Sequence, residues 1–363
     1  MTKKKIAIIG GGLAGVYAAY RLYGRGIEFD LFESRARLGG RILSTEPGGF
    51  DLGPSWFWPD FQIRMQNLVA ELGLPTLQQY DDGDALVESP ATGILRRQGY
   101  RSGNISMRIE GGTGRLVQAL ASSLPQASVH LDAALVSVHM EDQDLRLVFS
   151  DHHIQSSLYS QLWLAIPPRL AGRVHFTPSL SPIALQQMAN VPTWMAAHAK
   201  YVARYARPFW REQGLSGDAF SRIGPLAEIH DACNESGSAL FGFVGIDAAG
   251  RQDMATLDLK AQCREQLKRL FGDAAANPID DYIYDWATDP FTATQEDQIA
   301  QGQHGRHELS RAHLSAWGET LHLIGSEAGG EQGGYMEGAL EAVDKALSEL
   351  SKSVPGPVLP QGD

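Results

Sequence analysis

Cysteine is scarce in this chain. Cys233 and Cys263 are the only two and share no CxxC spacing, so neither a disulfide framework nor a cysteine zinc set can be built from them. Low cysteine usage fits a reducing compartment and leads us to expect a cytoplasmic protein. No apolar stretch reaches the roughly 18 residues that a membrane-spanning helix needs, so no membrane span is expected. Positive charge is also short: 31 Lys and Arg stand against 42 Asp and Glu, a formal net charge of -11. That balance argues against a nucleic-acid surface, which needs clustered cations, and is compatible both with attracting small cations and with plain solubility. Walker A, G-x-S-x-G and zinc signatures are all missing. His304 and His307 stand three apart without nearby Cys or clustered acids, and His152-His153 sits in a turn pattern, so no metal site is expected. Two N-x-S sequons, at Asn104 and Asn234, carry no meaning without secretion.

What is present is an ordinary globular composition, 43% hydrophobic and 20% charged over 363 residues, enough for two domains or one large one. The basic start, Met1 to Lys5, precedes an apolar run too short for a signal peptide and reads as the lead into a first strand over 4–9. An apolar helix is expected from Leu13 to Tyr23 and a second strand over 27–33. Helical spacing recurs over 61–73, stopping at Gly73, and over 114–124. Short strands alternate from Val129 to Phe149 about a turn at 142–144, and a buried strand at 161–166 ends in Pro167-Pro168. Residues 182–272 mix helix and strand, a strand at 320–325 leads into a glycine-rich turn, and a last helix runs from Met336 to Leu350. The Pro- and Gly-rich tail, 351–363, is expected to be mobile.

The sharpest motif is Gly10-Gly11-Gly12-Leu13-Ala14-Gly15, placed between a strand and a helix, with the next strand ending in the acid Glu33. In that context Gly10 permits the tight turn, Gly12 allows close backbone approach to a pyrophosphate, and Gly15 lets helix and strand pack. The helix start offers N–H groups and positive partial charge to phosphates, and Glu33 offers acceptors to ribose hydroxyls. The adjoining segment, Glu33-Ser34-Arg35-Ala36-Arg37-Leu38-Gly39-Gly40-Arg41, adds a second glycine turn between arginines, which a plain NAD site does not need.

This segment resembles the flavin-containing amine oxidase superfamily, of the monoamine oxidase type. Similar matches recur along the chain. Asp51-Leu52-Gly53-Pro54-Ser55 looks like the family's Asp-Leu-Gly-Gly turn near the flavin, with Pro54 in place of the second glycine. Ile109-Glu110-Gly111-Gly112 looks like the segment that rejoins the FAD domain. The strand carrying Leu135 resembles the one that meets adenine, and Leu164-Ala165-Ile166-Pro167-Pro168 matches a strand-ending motif. Gly325-Ser326-Glu327 with Gly333-Gly334-Tyr335-Met336-Glu337-Gly338-Ala339 looks like the C-terminal flavin-binding signature.

The resemblance implies an α/β fold: a Rossmann-like FAD-binding domain from 1–60, 110–170 and 315–350, and a mixed α+β substrate domain from 61–109 and 171–314. It implies FAD as cofactor, a small amine and molecular oxygen as reactants, and leaves room for a homodimer. Lys200, ahead of Phe209-Trp210, matches the family lysine that binds a water next to flavin N5, and Tyr335 matches one wall of its aromatic cage. Trp56 falls at a pocket and cofactor position, Trp58 lies beside it, and Trp286 precedes Asp289-Pro290-Phe291 near the expected second wall. Two departures stand out. At the family's covalent-flavin cysteine and second cage tyrosine this chain has Thr292-Ala293-Thr294-Gln295-Glu296-Asp297, so FAD is expected to be non-covalent and the cage incomplete. The stretch from Leu77 to Gly111 is also shorter than its family counterpart. Other FAD enzymes of the same fold remain open as alternatives: a desaturase, a protoporphyrinogen-type oxidase, a mutase or a renalase-like nicotinamide oxidase. So does a flavin-binding protein without turnover.

Overall fold

The structure is a computed structural model that describes residues 5–98, 103–154, 157–299 and 311–353. His304, His307 and the segment 354–363 lie outside the described residues. The chain folds as two compact units, one of residues 1–38, 124–191 and 304–363, the other of residues 39–123 and 192–303.

The first unit is organised by a five-stranded parallel sheet in the order Leu321–Leu323, Gln161–Leu164, Ile6–Ile9, Phe29–Phe32, Val129–His130. Counted along the sequence, that order is the doubly wound one, with the first strand central, and its ligand crevice lies at the carboxyl ends of the strands. The short runs Ile-Ala-Ile-Ile and Phe-Asp-Leu-Phe are buried throughout, as strands covered on both faces must be. Helices Leu13–Gly24 and Met336–Ser353 pack on each other, with the Tyr17 hydroxyl donating to Asp344 at 3.0 Å. The last helix runs through Ser353, three residues past its expected end at Leu350. A hairpin of Leu135–Glu141 and Asp144–Phe149, turning at Asp142 with φ of 55°, is joined in parallel by His175–Thr177. Phe149, Leu147, Trp317 and Phe176 form a core with Phe32 and Leu162 of the parallel sheet.

The second unit is built on a seven-stranded sheet in the order Asp280–Asp285, Ala199–Tyr205, Ser238–Val244, Leu226–Asp231, Leu215–Ser221, Asp84–Ser89, Gly93–Arg97. All neighbours are antiparallel except Leu215–Ser221 with Asp84–Ser89. The period of two along Ala199–Tyr205 divides its side chains between two faces. Ala199, Tyr201, Ala203 and Tyr205 join Phe209, Trp210, Leu240 and the apolar side of helix Thr256–Phe271 in one core. The opposite face, with Lys200 and Val202, carries the candidate site.

Candidate functional site

In the first unit the sequence-marked residues gather at the carboxyl edge of the parallel sheet. Gly10 follows Ile9, Glu33 follows Phe32, Ile166 follows the strand ending at Leu164, and Gly325 follows the one ending at Leu323. Gly10 has a φ of +105°, and a Cβ there would stand 2.7 Å from the Ala165 carbonyl oxygen. At Gly15 a Cβ would stand 1.8 Å from the Gly10 carbonyl oxygen, so no side chain fits the turn. Gly12 caps helix Leu13–Gly24 without any side-chain hydrogen bond, and Leu13, Ala14 and Gly15 form its buried first turn. The Glu33 carboxylate accepts from the Gly11 amide at 2.6 Å and from the Arg35 amide at 2.9 Å. These bonds fix its position beside the turn while leaving lone pairs for a ribose. Ser34 and Arg35 follow it, and the Asp132 amide donates to the Arg35 carbonyl at 3.1 Å.

At the other end of the same edge, Ser326 and Glu327 are buried in a short 3-10 turn, and the Gly334 amide returns to the Ser326 carbonyl at 3.0 Å. Tyr335 is half-buried directly before Met336, the first residue of the last helix. Leu135 opens its own strand, partly buried against the core that includes Phe149, two residues after Ala133, whose amide donates to the Glu33 carbonyl at 2.8 Å. A dinucleotide fits this arrangement: glycine turns that exclude Cβ atoms, two helix starts and one acid at the carboxyl ends of parallel strands.

In the second unit Gly39 and Gly40 both have positive φ, 108° and 57°, and Arg41 donates to the Trp194 carbonyl at 3.3 Å. Lys200 is buried, 3% exposed, and donates to the Gly53 carbonyl at 3.0 Å and the Ser55 hydroxyl at 2.6 Å. The Asp-Leu-Gly turn and the lysine were separate marks in the sequence, and the fold joins them. Pro54 lies between those two contacts, its carbonyl oxygen 3.0 Å from the Thr113 hydroxyl oxygen. The ammonium lies 4.0 Å from the Phe241 ring centroid and 5.7 Å from that of Phe243, an aromatic floor on which a cation is favoured. Burial nonetheless lowers the Lys200 pKa from 10.5 to about 7, with Asp51 favouring the charged form and Arg108 opposing it. Asp51 is buried too, and its pKa is raised by that burial against the pull of Lys200, Thr113 and Ser44.

Trp56 packs on this floor, 5.2 Å from Phe241 and edge-on to His230 at 5.0 Å, with its indole N–H donating to Gln79 at 2.7 Å. Trp286 is buried against Tyr284 at 4.4 Å and donates to the Leu52 carbonyl at 3.0 Å. Trp58 stacks instead on Phe61, beside the start of helix Ile63–Glu71. The Thr292–Asp297 stretch, expected near a cage wall, is organised as a cap in which Thr294 and Asp297 are buried while Gln295 and Glu296 are exposed. Asp297 accepts from the amide and hydroxyl of Thr294 at 2.9 and 2.8 Å and from the Thr193 amide at 2.9 Å.

Several residues of this face have no mark in the sequence reading. Phe243 and Tyr284 are the cross-strand partners of Lys200, and Phe241 and Tyr282 those of Val202. The alternation Phe241-Gly-Phe243 signals that both rings share a face, but only strand register brings them to Lys200. His230 lies between Asp218, 2.8 Å from Nδ1, and Glu228, 3.6 Å from Nε2. Burial works against its protonation, and the two carboxylates outweigh that and raise its pKa. Among the described residues no helix is long and apolar enough to cross a membrane.

Comparison with known proteins matches residues 88–343 to the family model for flavin-containing amine oxidoreductases and residues 8–72 to that for an NAD(P)-binding Rossmann-like domain. The chain is 22% identical over 455 residues to a probable flavin-containing monoamine oxidase A of Dictyostelium discoideum, with 95% of this chain and 97% of that protein covered. It is 22% identical over 468 residues to putrescine oxidase of Kocuria rosea, covering 96% of this chain and 95% of the other. The solved structure of cyclohexylamine oxidase from Brevibacterium oxydans IH-35A shares the fold, with a TM-score of 0.80 at 19% identity over 96% of this chain and 99% of that one. Both sequence alignments are longer than the 363 residues here, so these relatives carry insertions that this chain lacks. With the family model spanning well over half of its length, the chain belongs to the flavin-containing amine oxidoreductases.

Proposed function

We propose that this protein is an FAD-dependent amine oxidase that converts a small amine to an imine, which hydrolyses to a carbonyl and ammonia or a shorter amine. When bound, FAD would supply the two-electron redox chemistry, removal of a hydride equivalent from the carbon next to nitrogen with oxygen as final acceptor and hydrogen peroxide as product.

The chain's own residues hold, orient and exclude water. Gly10, Gly12, Leu13, Ala14, Gly15, Glu33, Ser34 and Arg35 would grip the adenosine diphosphate part, with Leu135 toward adenine. Gly39, Gly40, Arg41, Gly53, Pro54, Ser55, Trp56, Ile166, Gly325, Ser326, Glu327, Gly334, Tyr335 and Met336 would hold the remainder. In this reading segments 1–60, 110–170 and 315–350 serve the cofactor, and 61–109 and 171–314 the substrate. In this reading Tyr335, Trp56, Trp58 and Trp286 would be the aromatic residues that receive a neutral or cationic amine. Lys200 orients water and favours the oxygen half-reaction.

The observation that carries this reading is the Lys200 environment: a buried lysine on an aromatic floor, tied to Gly53 and Ser55, with its pKa lowered to about 7. A lysine serving only as surface charge gains nothing from such burial. The test is spectroscopic. Under nitrogen, a member of an amine panel is expected to bleach the yellow protein, and air to restore the colour with peroxide release. Bleaching by reduced nicotinamide alone would replace this reading with a nicotinamide oxidase.

A further inference from the structure

Including Ser55, the hydrogen-bond partner of Lys200, three polar groups line one small cavity and each keeps unused hydrogen-bonding capacity. The Ser55 hydroxyl accepts the lysine's hydrogen bond at 2.6 Å, and among the described residues its own proton has no acceptor. The Arg108 guanidinium is buried, bonded through one terminal nitrogen to the Cys233 carbonyl, while its Nε has no partner among the described residues. Asp51 receives Ser44 at 2.8 Å, the Thr113 amide at 2.8 Å and the Thr113 hydroxyl at 2.7 Å, all on Oδ1, which leaves Oδ2 without one among the described residues. Ser55, Arg108 and Asp51 line the same small cavity, with Phe50, Asn234 and Phe241 among its other wall residues. Two donors and one acceptor around a water-sized space match what an internal water needs, which is two to four polar partners. Leaving a buried guanidinium N–H unpaired is costly, so the site favours occupancy.

We propose that this cavity holds an ordered water joining Ser55, Arg108 and Asp51, so that a buried hydrogen-bonded path runs from the Lys200 ammonium through Ser55 to a carboxylate and a guanidinium. Asp51, Ser55 and Arg108 are then positioning residues that act through Lys200. Asp51 favours the ammonium, Arg108 opposes it, and Ser55 holds it by accepting its proton in a hydrogen bond. Asp51 and Arg108 are the charged groups that act on Lys200, while Phe241 and Phe243 face it with their rings and Tyr284 is its partner on the neighbouring strand. The role of this path in turnover rests on the proposed oxidase reading, but its existence does not.

The test uses flavin-loaded protein carrying ¹³Cε-lysine, with the Lys200 signal identified by its loss in Lys200→Met. Ser55→Ala and Asp51→Asn are expected to lower the midpoint of the Lys200 titration by about one pH unit, and Arg108→Gln to raise it by a similar amount. Ser55→Thr, which keeps the hydroxyl, is expected to restore the wild-type midpoint. A crystal structure is expected to show a water within hydrogen-bond reach of Arg108 Nε and Ser55 Oγ. An unchanged midpoint in folded Ser55→Ala, or a cavity empty of density at high resolution, would overturn the proposal. None of these readouts needs an amine, so failure of the amine reading would leave them decisive. Should Arg108→Gln fail to fold, the Ser55 pair still decides.

Discussion

Lys200 is ionised in the unfolded chain up to pH 10.5 but holds its proton in the folded one only to about pH 7. Between those values the unfolded state binds more protons, so this lysine makes stability rise with pH. Below about pH 7 it is charged in both states and its desolvation cost is present in full. Replacing it by Met removes that cost, so the stability of Lys200→Met relative to wild type is expected to be greatest near pH 6 and to fall toward pH 9. The slope of the difference is bounded by about 1.4 kcal/mol per pH unit. Urea melts of both proteins at the two pH values check it, and an equal margin at both would show that Lys200 keeps its charge throughout. Lys200 was legible in the sequence through its spacing to Phe209-Trp210, yet the structure puts those two rings on the other face, where the Trp210 indole donates to Asp231 at 2.9 Å. The spacing marks the end of the strand that carries the lysine, and not a contact with it.

At the scale of elements, buried polar residues divide into those that serve a site and those that finish a turn. Thr294 and Asp297 belong to the second group, forming a reciprocal cap on the 3-10 turn Gln295–Gln298. Losing such a cap typically costs about 1 kcal/mol. Thr294→Ala is therefore expected to lower the melting temperature by a few degrees and leave kcat/KM for any accepted amine within about twofold of wild type. A large selective loss with one amine would instead place Thr294 against the substrate. The βαβ start was legible because its signals are local: a buried run, a glycine turn, an apolar helix and an acid. The hairpin Asp84–Ser89 with Gly93–Arg97 was not, since its second strand is exposed along its whole length and shows no alternation to read. The aromatic floor was hidden for a different reason. Tyr284, Lys200 and Phe243 lie far apart in sequence and meet only through the pairing of three strands.

Across the whole molecule, the doubly wound strand order could be anticipated from one fingerprint, whereas the seven-stranded sheet rests on pairings that no short segment encodes. The family match spans most of the chain, yet the relatives' alignments exceed its length, so the identity of the amine does not transfer with the fold. Cys233 and Cys263 are both buried, with burial raising their thiol pKa values to about 11 and about 12, so neither is poised to attach a cofactor. Acid precipitation is accordingly expected to release all of the yellow chromophore into the supernatant as FAD, and colour retained in the pellet would show a covalent link. The role of Lys200 is read out by rapid-mixing reoxidation of the amine-reduced protein by oxygen, wild type against Lys200→Met. With equal FAD content in both, the rate is expected to be at least about tenfold lower in the variant, a barrier rise of about 1.4 kcal/mol. Equal rates would contradict that role.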